Sequence, residues 1–172
     1  MEAMEAIITR RSVRSYEARK IDKKLVDLLA NAMNAAPSAG NLESRHFYFV
    51  LDEGMKKKIA SCCSERQRER IASAPLIVVA CADEKENRYG ERGKNLYSII
   101  DVSASVENLL IAAHSLGLGG VWVGAFEEEK VREALSVPSY LHPITLVPLG
   151  YPAEKPMPHE KKEMKKIFTF IE

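Results

Sequence analysis

Apolar residues recur along the chain with two periods, and the change of period marks out its helices and strands. Over 23–35, Leu25, Leu28, Leu29 and Met33 share one face at helical spacing, with Asp22 in front as an N-cap. Residues 1–11 read as a short amphipathic helix or turn that ends on the basic knot Arg10-Arg11-Ser12-Val13-Arg14. Pro37-Ser38-Ala39-Gly40-Asn41 breaks the second helix and has the composition of a loop. Phe47-Tyr48-Phe49-Val50-Leu51 is too short for a helix and too aromatic for a loop, which predicts a strand. The charged stretch 53–73 predicts two short helices around Cys62-Cys63. Leu76-Ile77-Val78-Val79-Ala80-Cys81-Ala82 is apolar at every position, as a strand covered on both faces would be.

Residues 83–95 are polar, contain Gly90 and Gly93, and predict an exposed, flexible excursion. From Val102 to Leu118 the only charged side chain is Glu107, and the apolar residues spread round much of the circumference. A surface helix shows one apolar stripe. This one needs cover on most sides, more than so small a domain provides alone, which predicts a homodimer with the helix in its interface. Gly117-Leu118-Gly119-Gly120 stops the helix and leads to a short strand at 121–123. A further helix follows at 127–135 and a core strand at 144–149. From Pro152 the chain is rich in proline and lysine, yet it closes on Ile167-Phe168-Thr169-Phe170-Ile171. An arm exchanged onto the partner's sheet would bury those side chains. With no internal repeat, the expectation is one domain over 1–172, with 152–172 as the extended arm.

Composition narrows the function. The 172 residues carry 25 basic and 24 acidic side chains, a net +1, which gives no electrostatic case for nucleic acid or an anionic membrane. At 46% hydrophobic, the chain builds a core without disulfide or metal staples. Cys62, Cys63 and Cys81 form no disulfide framework or Cys-x-x-Cys motif, and the four histidines have no ligand spacing, so no metal is expected. The first residues lack the order of a signal peptide, and no run of eighteen apolar residues occurs. A cytoplasmic protein with no membrane span is the expectation.

No Gly-x-Ser-x-Gly elbow, GxxxxGK[ST] loop or Rossmann fingerprint is present. An enzyme of this sequence would leave its chemistry to a bound cofactor. Three segments bear on one. Arg10, Arg11, Ser12 and Arg14 suit a phosphate, though a solvated basic turn has the same composition. The 37–41 segment suits backbone lying close to a flat ligand, or an ordinary loop. Gly119-Gly120-Val121-Trp122-Val123-Gly124-Ala125 could aim N–H groups at a ring carbonyl or nitrogen, or be a tight helix-to-strand turn. Trp122 alone reads as a core residue.

In order, Arg10 to Tyr16, Ala36 to Asn41, Ser73-Ala74-Pro75, the Asp101–Leu118 helix with Gly119 to Gly124, and Leu149-Gly150-Tyr151-Pro152 resemble the nitroreductase-like flavoprotein family over nearly the whole chain. The resemblance implies an α+β, three-layer fold: a central mixed, mostly antiparallel sheet flanked by helices, in a homodimer with exchanged C-terminal arms. It implies FMN at the dimer interface, NADH or NADPH as donor, and a small-molecule electron acceptor such as a nitroaromatic, a quinone, a free flavin or oxygen. Residue by residue, Arg10 matches a phosphate-binding arginine, with Arg11 beside it, and Ser12 a hydroxyl near the phosphate and ribityl chain. Arg14 matches a basic residue at the pyrimidine edge, where it stabilises negative charge on the reduced ring. Pro37, Ser38, Ala39 and Asn41 would come from the other subunit. Gly124 and Ala125, reached through Trp122 and Val123, fall where a backbone N–H meets N5 or O4. Gln67 and Arg70 match positions that touch the pyrimidine edge in some members. Arg14 and Gly124 are thus the candidate catalytic positions.

The departures are specific. Lys161 and Lys162 are the candidates for the basic pair that follows Leu-Gly-Tyr-Pro, with His159-Glu160 disturbing the register. Gly124 stands where several members carry glutamate, so only its backbone contact carries over. The segment that lids the pocket in larger members is reduced to about a dozen polar residues, which implies an open flavin face. Relatives that cleave flavin, dehalogenate or serve a biosynthetic step, and an FMN-holding redox partner with incidental reductase activity, are the alternatives.

Overall fold

Alternation along one strand organises the molecule, seen here in a computed structural model that describes residues 1–171. In chain order the elements are α1 (Ala3–Thr9), α2 (Lys23–Asn34), β1 (Arg45–Val50), α3 (Glu53–Ser61), α4 (Glu65–Ala72), β2 (Leu76–Asp83), the single turn α5 (Gly90–Arg92), α6 (Ser98–Ser115), β3 (Gly119–Gly120), α7 (Glu128–Leu135) and β4 (Leu141–Gly150). On β2, Leu76, Val78 and Ala80 point to one side and pack with Leu29 and Met33 of α2 and Val102, Val106 and Leu109 of α6. Ile77, Val79 and Cys81 point to the other and pack with Ile59 of α3, Ile71 of α4 and Val131 of α7. Helices cover both faces, so every position of the strand's centre is apolar. The result is a three-layer α+β architecture.

The sheet order is β1-β2-β4-β3, and all three pairings are antiparallel. A parallel bridge from Ser12 to Gly120 adds the mixed character. Register shifts between Ala80, opposite Thr145, and Cys81, opposite Pro143. The extra residue in β4 puts Leu141 and Leu146, an odd number of positions apart, in the same cluster.

Four expectations change. Leu28 is 49% exposed, while Val26 packs on the core. Leu29 and Met33 centre the buried face, and Leu28 lies about 100° round the helix from Leu29. Asp22 does cap α2, accepting from the Lys24 N–H at 3.0 Å. The 83–95 excursion is partly helical: α5 passes into a wide turn at Gly93–Tyr97 and on into α6. Gly93 is buried there, with the Asn87 amide where a Cβ would stand. The short strand lies at 119–120 rather than 121–123, with Val123 making only an isolated bridge to Leu146. A Cβ on Gly119 would run into Val13, and one on Gly120 would lie 2.6 Å from Leu149 Cδ2, so only glycines pass this close. Finally, Gly90–Ser115 is long and apolar enough to cross a membrane by length and composition. Here it lies against the sheet with Val102, Val106 and Leu109 wholly buried, as a core helix does.

Within the single chain, part of α6 stays uncovered at Ile99 and Ile100. The 167–171 segment is exposed too, with Phe170 at 79% and Ile171 at 95%.

Candidate functional site

The basic knot is laid along the sheet. After α1 the backbone runs past β3, with the Val13 N–H donating to Gly120 O at 3.0 Å and the Glu17 N–H to Tyr151 O at 2.9 Å. Val13 and Tyr16 are buried with Ala74, while Arg14 between them is exposed. The Tyr16 hydroxyl shares its proton between Val13 O (2.7 Å) and Pro148 O (3.0 Å). Burial, with the Glu154 carboxylate second, pushes its pKa far up, so it is a neutral tie.

Beside this segment lies a cavity of about 400 Å³. Helix α4 supplies Arg66, Gln67, Arg70 and Ile71, with Ser64 just before it. Helical spacing explains the set, since residues three and four apart share a face. The turn after β3 supplies Val121, Trp122, Val123 and Ala125; β4 supplies Pro148; and the N-terminal segment supplies Arg14 and Tyr16. Among the described residues no carboxylate lines it. Three guanidiniums and an amide face an apolar wall, an arrangement that suits a flat ring with electron-rich edges.

Six of the residues singled out from sequence meet here: Arg14, Gln67, Arg70, Trp122, Val123 and Ala125. Trp122 is 39% exposed, so it is a wall of the cavity and not the core residue its isolation suggests. Gly124 is exposed between two lining residues, with open space where a Cβ would be. The others do not line the cavity. The buried Arg10 Nε lies 3.4 Å from Glu107 Oε1, an ion pair whose geometry falls short of a hydrogen bond. Arg11 donates through Nη1 to Ile8 O (2.9 Å) and Arg10 O (2.8 Å), closing the end of α1. Ser12 is held by its bridge to Gly120. Lys161 and Lys162 are exposed on the C-terminal tail.

The 37–41 segment is clamped from two sides. The Ala39 N–H donates to Asp101 Oδ1 at 2.9 Å, from a side chain only 2% exposed on α6. The Arg45 guanidinium donates to the carbonyls of Asn34, Ala36 and Pro37. Ser38 Oγ accepts from the Glu43 N–H at 3.0 Å, and Gly40 and Asn41 take left-handed backbone at φ 58° and 56°. Pro37, Ser38, Ala39 and Asn41 therefore form a fixed ledge on the chain's own surface, apart from its own cavity.

Four lining residues, Ser64, Arg66, Ile71 and Pro148, lie outside the segments singled out from sequence, while Tyr16 and Val121 fall within them. For Arg66 the signal was present: it precedes the singled-out Arg70 by four residues on a helix. The cysteines take no part. Burial pushes the Cys63 thiol up to about 11 and Cys81 up to about 12, keeping both protonated near neutral pH. Among the described residues no group of three His, Cys, Asp or Glu side chains gathers to hold a metal.

Comparison with known proteins follows this geometry. The family described as "Nitroreductase family" matches residues 7–76 and 62–151. The "Putative NADH dehydrogenase/NAD(P)H nitroreductase" of Archaeoglobus fulgidus is 37% identical over 158 residues, covering 90% of this chain and 87% of its own. The crystal structure of a protein of the same name from Parabacteroides distasonis is 30% identical, with a TM-score of 0.85 over 97% of this chain and 96% of that one. The "FMN-dependent Nitroreductase" of Clostridium difficile is 25% identical, with a TM-score of 0.84 over 96% of this chain and 98% of its own.

Proposed function

Because the chain belongs to the nitroreductase family, we propose that it is an FMN-dependent oxidoreductase that uses NADH or NADPH to reduce a small molecule, such as a nitroaromatic, a quinone or a free flavin. The observation that carries this reading is the cavity, where Arg14, Gln67 and Arg70 face a wall of Val121, Trp122 and Pro148. An isoalloxazine has the matching chemistry: apolar faces and a pyrimidine edge rich in acceptors. Arg10, a partly buried guanidinium whose Nε stands 3.4 Å from Glu107 Oε1 without a hydrogen bond, supports a phosphate nearby as its anionic partner. FMN, when bound, supplies two-electron chemistry, taking hydride from the nicotinamide and delivering electrons to the acceptor.

The chain's own residues bind and orient. Arg10, with Arg11 and Ser12 alongside and Lys161 and Lys162 from the tail, holds the phosphate. Arg14, Gln67 and Arg70 hold the pyrimidine edge. The backbone of Gly124 and Ala125 meets the far side of the ring, and the empty space beside Gly124 leaves room for that approach. The protein is one domain that works as a homodimer, with α6 and the exposed 167–171 segment in the interface. The ledge at Pro37, Ser38, Ala39 and Asn41 then serves the cofactor of the opposite subunit. That division of labour accounts for a ledge so firmly clamped yet apart from its own cavity.

Steady-state oxidation of NADH or NADPH by the FMN-loaded protein, with a quinone or nitroaromatic as acceptor, tests the function. Turnover that requires both FMN and the acceptor supports it, and no turnover with either donor overturns it. Arg14 has its own readout. Its guanidinium favours the form of the ring that carries negative charge, so Arg14→Ala should lower the two-electron midpoint potential. Arg14 is exposed in the free chain, so about 1 kcal/mol, or about 20 mV, is the expected scale. A redox titration of fully flavinated Arg14→Ala with an unchanged potential would move this residue to the phosphate.

A further inference from the structure

The cavity carries more positive charge than the flavin reading uses. Arg14, Arg66 and Arg70 all line it, and no Asp or Glu among the described residues does. None of the three guanidiniums is in an ion pair among the described residues. Glu65 and Glu69 stand next to Arg66 and Arg70 along α4 and pair with neither. Glu154 accepts from the backbone N–H of Arg14 and not from its guanidinium. Like charges four apart on a helix repel by a few tenths of a kcal/mol, so two arginines turned to one cavity cost the free protein a little. A bound anion removes that cost.

Arg14 and Arg70 have a task at the pyrimidine edge, and Arg66 has none. It lies one turn nearer the start of α4 than Arg70, on the same cavity face. We propose that Arg66 is a specificity residue that selects aromatic acceptors bearing a carboxylate, the acceptor lying over the bound flavin with its carboxylate on the guanidinium fork. The inference rests on the flavin reading above and adds the charge of the substrate to it. Arg66 is solvent-exposed, so screening limits the expected preference to about 3- to 5-fold at low salt.

The test uses the FMN-loaded, oxidised protein and two probes of equal size, para-nitrobenzoate and para-nitrobenzamide, with binding measured by calorimetry. FMN uptake is measured first on the same preparations. Failure of the wild type to take up FMN overturns the flavin reading itself, and this proposal with it. With FMN in place, the wild type should bind the benzoate about 3- to 5-fold more tightly, and added salt should shrink the difference. Arg66→Gln should abolish the preference, bringing the ratio of benzoate to benzamide affinity to about one. Arg66→Lys should keep part of it. Equal binding of the two probes by the wild type, or a preference that survives Arg66→Gln, overturns the proposal alone. Loss of FMN from Arg66→Gln assigns the residue to the cofactor and overturns it too. A defect of Arg66→Gln confined to reduction by NADPH, with the benzoate preference intact, places the anion on the donor's phosphate and also overturns it.

Discussion

Arg10→Ala should weaken FMN binding by about 10- to 150-fold, while riboflavin, which lacks the phosphate, loses far less. The range corresponds to one charge-assisted hydrogen bond, roughly 1.5–3 kcal/mol. The structure gives Arg10 the right standing. It is partly buried at the end of α1, Glu107 offers a carboxylate at 3.4 Å, and Nε is left without a hydrogen bond. The Nε in question is the atom facing Glu107, so the carboxylate holds the guanidinium in place without a hydrogen bond, and a phosphate would share or replace that partner. Parallel titrations of wild type and variant with FMN and with riboflavin separate the possibilities. Equal losses for both ligands would mean that Arg10 supports the site's shape and not the phosphate.

Deleting residues 167–172 should dissociate the proposed homodimer and release FMN in the same step. Ile167, Phe168, Phe170 and Ile171 all stand exposed on one chain, and apolar surface left in water costs about 25 cal/mol per Å². Ile99 and Ile100 leave a second apolar surface on α6. If subunits meet there, the ledge at 37–41 reaches its neighbour's cofactor only while the dimer holds. Sedimentation and visible absorbance on the truncated protein report both events. A truncated dimer that kept its flavin would show that the terminal segment contributes nothing to assembly.

Much of the fold was legible because its signals are local. The unbroken apolar run of β2 implied cover on both faces, and helices lie on both. Asp22 announced α2 by a contact two residues long. What escaped was set by distant neighbours. Nothing in Gly119-Gly120 itself marks a strand; it is one because it pairs with Leu149 and Gly150 of β4, and Val13 and Leu149 leave room there for no side chain. Polar residues at 83–95 suggested a loose excursion, yet Asn87 folds over Gly93 and the helix begins early. Leu28 is apolar but lies off the buried face.

The site shows the same division. Arg14, Gln67 and Arg70 were identifiable by resemblance, and the cavity brings them together. Arg66 was not, because no family pattern pointed to it, although helical spacing put it on Arg70's face. Taken alone Trp122 read as core, because a lone tryptophan carries no pattern; the resemblance of its segment put it beside the cofactor, and it lines the cavity. The clamp on the 37–41 ledge, from Asp101 far along the chain and from Arg45, has no signature in sequence at all.

The central claim is that this chain holds FMN where NAD(P)H can reduce it. Anaerobic addition of NADH or NADPH to the FMN-reconstituted protein, followed by its visible absorbance, tests that most directly. The account predicts one FMN per chain, retained through gel filtration, with its visible absorbance bleached by at least one donor and restored by a quinone. A protein that retains no flavin, or holds flavin that neither donor bleaches, would contradict it.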